Sequence, residues 1–170
     1  MLASDAELGD LARQVGQGLK AAGWRLALAE SCTGGWVGKL VTDVAGSSAW
    51  FERGLITYSN EAKQQLLGVT AAALSRSGAV SAEVAEAMAR GALASSAANL
   101  ALAITGIAGP DGGSADKPVG LVWFALAVKH GASETLSRQF DGDRDAVRRQ
   151  AVQTGLNLIR AATRTAIRGS

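Results

Sequence analysis

Trp24-Arg25-Leu26-Ala27-Leu28-Ala29-Glu30-Ser31-Cys32-Thr33-Gly34-Gly35-Trp36 is the stretch that decides the fold. Residues 24–29 are short and apolar, which predicts a buried strand. Residues 30–35 are mostly small and predict a loop. Helical spacing returns over 36–44, and Gly46-Ser47-Ser48 ends it. A buried strand feeding a helix through a tight loop is the building unit of an α/β sheet.

The same alternation extends in both directions. Upstream, Ser4-Asp5-Ala6-Glu7 is a capping box, and Leu8, Leu11, Val15 and Leu19 follow at helical spacing until Gly23. Downstream, 51–58 predicts a second strand. Asn60 is expected to cap a short helix that Gly68 closes, and 71–76 adds a further turn or two. Ser81 opens an alanine-rich helix to about residue 98, and 100–105 is another buried strand. Residues 119–128 and 135–140 predict a hairpin, and Asp143 starts a last helix. The expected order is α-β-α-β-α-α-β-β-β-α. It predicts a three-layer α/β/α sandwich on a mixed, mostly parallel sheet, with alanines allowing close helix approach.

The chain has 170 residues, which suits a single domain over 1–170. Folding such a chain buries about 70% of its extended surface, so no staple is needed. With 17 basic and 15 acidic residues the net charge is +2, too small to argue for bulk attraction to nucleic acid or a membrane. One cysteine and one histidine make neither a disulfide nor a zinc site. The apolar runs are too short or too interrupted to span a bilayer, and Met1-Leu2-Ala3-Ser4-Asp5 does not begin a secretion signal. A cytoplasmic protein is expected.

Several residue groups carry possible chemistry. Ser31 falls at the carboxyl end of a strand, where open α/β sheets bind ligands, and the following helix aims backbone N–H groups at the same point. Thr33, Gly34 and Gly35 would let a phosphate or an oxyanion approach the backbone. The plainer alternative is a capped tight turn. Residues 106–118 hold four glycines, both prolines and two aspartates, and form the one long loop. Its G-x-x-G-x-x-G spacing is neither a Walker loop nor a dinucleotide fingerprint. Arg144 and Arg148 share one helix face and suit a phosphate monoester, unless Asp141, Asp143 and Asp145 neutralise them.

Tyr58 and Lys63 are one residue too far apart for the dehydrogenase Tyr-x-x-x-Lys pattern. At pH 7 only roughly one unperturbed lysine in 2,500 is neutral, so Lys63 as a base needs burial or a neighbouring cation. With a serine nearby it would form a Ser–Lys hydrolase pair. Cys32 is expected to be a packed residue and His130 exposed. Trp24, Trp36, Trp50 and Trp123 are expected in the core or at subunit contacts.

Ala29-Glu30-Ser31-Cys32-Thr33-Gly34-Gly35, Tyr58-Ser59-Asn60-Glu61-Ala62-Lys63, Ser77-Gly78-Ala79-Val80-Ser81, Thr105-Gly106-Ile107-Ala108-Gly109-Pro110-Asp111-Gly112-Gly113 and Gly142-Asp143-Arg144 stand in that order. Together they resemble the CinA C-terminal domain family, over essentially the whole chain. The resemblance implies an α/β/α sandwich and an amidase that needs neither metal nor cofactor. It would convert nicotinamide mononucleotide and water to nicotinate mononucleotide and ammonia. It points to Ser48 as nucleophile, Lys63 as its base and Ser31 as the residue that orients them or relays a proton. The residues read alone favour Ser31 as nucleophile, at its strand-to-helix turn. Direct attack by water, with no acyl intermediate, stays open.

For this substrate, Arg144 would meet the phosphate with Arg148 in support, and Tyr58 would stack on the cationic ring. Thr105 and Gly106 would meet ribose or carboxamide. Two other functions compete. One is a nucleotide-sensing module without turnover. The other is a metal-dependent phosphatase or pyrophosphatase using Asp111, Asp116, Asp141 and Asp143. A homodimer or higher homo-oligomer is expected, with no nucleic-acid or membrane partner.

Overall fold

The computed structural model describes residues 1–168. The last two residues of the expected 1–170 domain lie outside the described residues. The elements run α1 (Asp5–Ala22), β1 (Leu26–Glu30), α2 (Trp36–Thr42), a 3-10 turn (Ser47–Ala49), β2 (Phe51–Ile56), α3 (Asn60–Leu67), α4 (Ala71–Ser77), α5 (Ala82–Ala94), β3 (Leu100–Gly106), β4 (Leu121–Val128), β5 (Ser133–Gln139) and α6 (Arg144–Arg168).

The strands form one sheet in the order β2-β1-β3-β4-β5. β1 pairs parallel with both β2 and β3, and β3-β4-β5 is antiparallel. β4 therefore runs against the other four strands.

The apolar runs of β1, β3 and β4 conceal a period of two. Leu26 and Leu28, then Leu100, Leu102 and Ile104, then Val122, Phe124 and Leu126 all point to one face. That face packs with residues of α1, α2 and α6. The alternating alanines 27, 29, 101, 103, 125 and 127 point to the other, against Val84, Ala85, Met88, Ala89 and Ala92 of α5. Large residues thus fill one interlayer, while methyl groups let α5 sit close in the other. Gly91 lets α5 approach α3 in the same way, since a Cβ there would lie 1.9 Å from the Leu67 carbonyl oxygen.

Local chemistry sets the ends. Ser4 and Glu7 form the capping box on α1, and Gly23 closes the helix at φ 65°. Three expected boundaries shift. β1 begins at Leu26 and not at Trp24. α5 ends at Ala94, before residue 98, where the Ser95 and Ser96 hydroxyls turn back onto the helix carbonyls. The cap of α3 is Ser59, whose Oγ accepts from the Ala62 N–H at 3.0 Å, and Asn60 is the first helical residue. Trp50 is fully buried, whereas Trp24, Trp36 and Trp123 are half-buried against the two cores.

Candidate active site

Because β1 and β3 are parallel and in register, the loops that follow them leave the same edge of the sheet. Ser31 continues the ladder, its N–H donating to the Ile104 carbonyl at 2.9 Å. Thr57, just past β2, donates its N–H to the Glu30 carbonyl at 2.8 Å. Three strand ends therefore converge, and α3 brings Lys63 over them.

Lys63 is 1% exposed. Its Nζ lies 3.0 Å from Ser31 Oγ, 2.9 Å from the Thr57 carbonyl oxygen and 3.3 Å from that of Tyr58. Among the described residues no carboxylate is within ion-pair distance of it. Burial pushes its pKa below the usual lysine value. A neutral amine has two N–H groups and one lone pair. Once deprotonated, the amine can give its two N–H groups to the two carbonyls and turn its lone pair to the Ser31 hydroxyl, the arrangement a general base requires.

A cavity of about 270 Å³ opens over this pair. Ser31, Cys32, Tyr58, Lys63, Thr105, Gly106 and Arg144 line it. Arg144 donates to the Gly109 carbonyl at 2.7 Å and to Tyr58 Oη at 2.9 Å, which leaves further guanidinium N–H groups for an anion. Thr105 is buried, and its Oγ1 donates to the Ala79 carbonyl at 2.9 Å. A larger, mainly apolar hollow of about 450 Å³ lies beside the C-terminal half of α6, against Trp24, Leu126, Val128 and Leu158. It contains no nucleophile–base pair among the described residues.

Four of the expected groups lie outside this cavity or are already engaged. Ser48 sits exposed on the 3-10 turn ahead of β2, at the amino edge of the sheet, because Phe51 is in register with Leu26. At about 3.3 Å per strand residue, it is separated from Ser31 by on the order of 15 Å of sheet. Ser48 does not line the cavity, so the structure does not bring it to Lys63.

Thr33 is fully buried, with its hydroxyl donating to Glu30, and neither Thr33 nor Gly34 lines the cavity. Arg148 does not line it either. Its Nε and Nη2 donate to the Cys32 and Thr33 carbonyls, each at 3.1 Å, and its guanidinium lies 5.3 Å from the Trp36 ring centre. Finally, the N-terminus of α2 is not open to a ligand. The Glu30 carboxylate accepts from Thr33 Oγ1 and from the N–H groups of Gly35, Val37 and Gly38, at 2.7–3.1 Å.

Glu30 is 2% exposed and holds the loop from beneath. Glu30→Gln would place an N–H pair where only acceptors fit. It is expected to cost about 2–4 kcal/mol of stability, read as a lower midpoint in urea unfolding.

The packed cysteine and the exposed histidine hold their place. Cys32 is buried and lines the cavity floor, and burial pushes its thiol up to about 12, so it is no nucleophile near neutral pH. His130 is exposed in the β4–β5 turn. Asp143 caps α6 through the Ala146 N–H, and Asp145 faces Arg149 at 3.6 Å. Neither aspartate pairs with Arg144 or Arg148. Among the described residues no three His, Cys, Asp or Glu side chains group as a metal site would.

The cavity also contains residues that the sequence reading gave no role in binding this substrate, among them Asn60, Ala79, Val80 and Asp111. Asn60 had a detectable signal. It lies three residues before Lys63, so both fall on one side of α3.

The model of the CinA C-terminal domain matches residues 8–163. The nicotinamide-nucleotide amidohydrolase PncC of Escherichia coli K12 is 58% identical over 156 residues, covering 92% of this chain and 94% of that protein. A CinA-like protein of Geobacter sulfurreducens is 59% identical over 144 residues, covering 85% of this chain but 35% of its own length. Among solved structures, the competence/damage inducible protein CihA from Agrobacterium tumefaciens superposes with a TM-score of 0.89 at 42% identity, covering 96% of this chain and 98% of that one. This chain belongs to the CinA C-terminal domain family.

Proposed function

We propose that this chain is a nicotinamide-nucleotide amidohydrolase that converts nicotinamide mononucleotide and water to nicotinate mononucleotide and ammonia. The observation that carries this reading is the buried Lys63, without a carboxylate partner among the described residues, 3.0 Å from Ser31 Oγ in a cavity that Arg144 also lines. The relatives named nicotinamide-nucleotide amidohydrolase support the same substrate. We read residues 1–170 as one domain, cytoplasmic and acting on a small-molecule nucleotide. The same reading includes a homo-oligomer, resting on exposed Ile56 and Leu66.

In this mechanism Ser31 Oγ attacks the carboxamide carbon while Lys63 takes the hydroxyl proton. The Cys32 N–H follows the nucleophile directly and stabilises the oxyanion. Lys63 then returns the proton to the leaving nitrogen, releasing ammonia and an ester on Ser31. Water, deprotonated by the same amine, cleaves the ester and restores both groups. Tyr58 stacks on the cationic ring, and Thr105 and Gly106 border the ribose and carboxamide.

The phosphate falls to Arg144. Arg144→Met is expected to cost about 1.5–3 kcal/mol of binding, or roughly 10- to 150-fold in KM. Nicotinamide riboside, which lacks the phosphate, is expected to be handled equally by both proteins. Steady-state kinetics on the two substrates checks this.

The direct test is ammonia release from the mononucleotide in the presence of a chelator, beside nicotinamide, the riboside and the dinucleotide. Ammonia from the mononucleotide is the expected result. Binding with no release, at enzyme concentrations near substrate, would replace the reading with a sensing module. Phosphate release that disappears in chelator would replace it with a phosphatase.

A further inference from the structure

The loop from Ser31 to Gly35 has few side-chain anchors of its own. Gly34 and Gly35 both take positive φ, 61° and 92°. Most of its backbone donors are engaged. Gly34 N–H goes to the Ser31 carbonyl, Trp36 N–H to the Thr33 carbonyl, and Gly35 N–H to Glu30. The Cys32 N–H, the donor next in sequence to the Ser31 oxygen, meets its own thiol sulfur and no backbone oxygen among the described residues.

The carbonyls of Cys32 and Thr33 both accept from the Arg148 guanidinium, which lies outside the cavity. A peptide plane is rigid, so a guanidinium on the Cys32 carbonyl fixes the plane that follows Cys32, and with it the turn immediately after Ser31. Arg148 is itself fixed, since it lies over the Trp36 ring and pairs with no carboxylate among the described residues.

We propose that Arg148 is a positioning residue for amide hydrolysis. By holding the Cys32 and Thr33 carbonyls it keeps the loop's lone pairs away from the oxyanion that forms at Ser31, and holds the Cys32 N–H beside that oxyanion. This rests on the reading of Ser31 as the nucleophile of an amidase. The role needs arginine. A planar fork can bond two successive carbonyls while lying on an aromatic face, which a lysine ammonium cannot do.

The test compares the unaltered protein with Arg148→Ala and Arg148→Lys in ammonia release from nicotinamide mononucleotide. Both variants are expected to lose roughly 30- to 300-fold in kcat with KM within about threefold, the range set by misplaced oxyanion donors. Added guanidinium ion is expected to restore part of kcat to Arg148→Ala. That rescue would not follow from a role in folding alone. Arg148→Lys keeps the charge and the aliphatic stem, so it reports even where the alanine variant does not fold.

Unchanged kcat in Arg148→Lys, or a raised KM with kcat intact as a phosphate contact would give, overturns the positioning role. So does a loss of kcat in Arg148→Ala that guanidinium does not relieve. An unaltered protein that releases no ammonia overturns the amidase reading, and this role with it.

Discussion

Replacing Lys63 with methionine is expected to lower ammonia release by at least about a thousand-fold, with the fold intact and the mononucleotide still bound. General-base catalysis supplies roughly 10²–10⁴ in rate, and removal of a base that also activates a nucleophile falls at the upper end. Methionine matches the stem of the lysine and leaves no unpaired charge, because no carboxylate faces Lys63 among the described residues. What it removes is the group 3.0 Å from Ser31 Oγ. Calorimetric binding of the mononucleotide beside the ammonia assay separates this from loss of the site. A variant that binds and still turns over at more than a tenth of the original rate would remove Lys63 from the chemistry.

The same residue sets a pH dependence whose sign follows from burial. Burial lowers the native pKa of Lys63 below its ordinary value of about 10.4. Below the native value the amine is protonated in both folded and unfolded chains, and the base is inactive. As pH rises through the native value, the folded chain gives up the proton first, while the unfolded chain keeps it until near 10.4. In that window the unfolded state binds more protons, so Lys63's contribution to stability rises with pH. Turnover rises through the same native value, and that limb is expected to vanish from the residual activity of Lys63→Met.

Much of the fold was legible because local and global signals agree. The Leu-Ala alternation in β1 and β3 reads as an apolar run, and each run ends at small or glycine-rich sequence, as a buried strand must. Boundaries slipped where neighbouring residues compete for one role. Ser59 and Asn60 both suit a cap, and only the Ala62 contact chooses between them.

The site was harder to read, because its key distance joins residues 32 positions apart. Arg144 and Arg148 look equivalent on a helix face. One turn of about 5.4 Å is enough to put the first at the cavity and the second beside the loop. Thr33 reads as a ligand contact in a small-residue loop, but a buried carboxylate three residues earlier takes its hydroxyl. Glu30 carries no sequence signal of its role, since a carboxylate at a strand end looks like solvent-facing punctuation. Its meaning depends on where α2 starts, which only the folded loop fixes.

Ser31→Ala and Ser48→Ala are expected to part by a factor of at least about a thousand. Ser31 is buried at the carboxyl edge, with the Lys63 amine on its oxygen and the neighbouring Cys32 on the cavity floor. Removing its hydroxyl takes away the attacking atom, and losses of roughly 10³–10⁶ follow when a covalent nucleophile is deleted. Ser48 is exposed at the opposite edge, so its alanine variant is expected to keep kcat and KM within about twofold. A resemblance of motifs orders residues along the chain, but it does not say which edge of the sheet each one reaches. The parallel register of β1 and β2 does, since it fixes the start of β2 beside the start of β1, while Lys63 approaches from beyond their far ends. If Ser48→Ala were inactive and Ser31→Ala active, proton transfer through Lys63 would need a different arrangement of the 3-10 turn from the one observed. Mass spectrometry of the quenched enzyme adds an independent readout. A nicotinate-mononucleotide adduct on the peptide containing Ser31 is the expected species, and its absence at saturating substrate, with turnover intact, would favour direct attack by water.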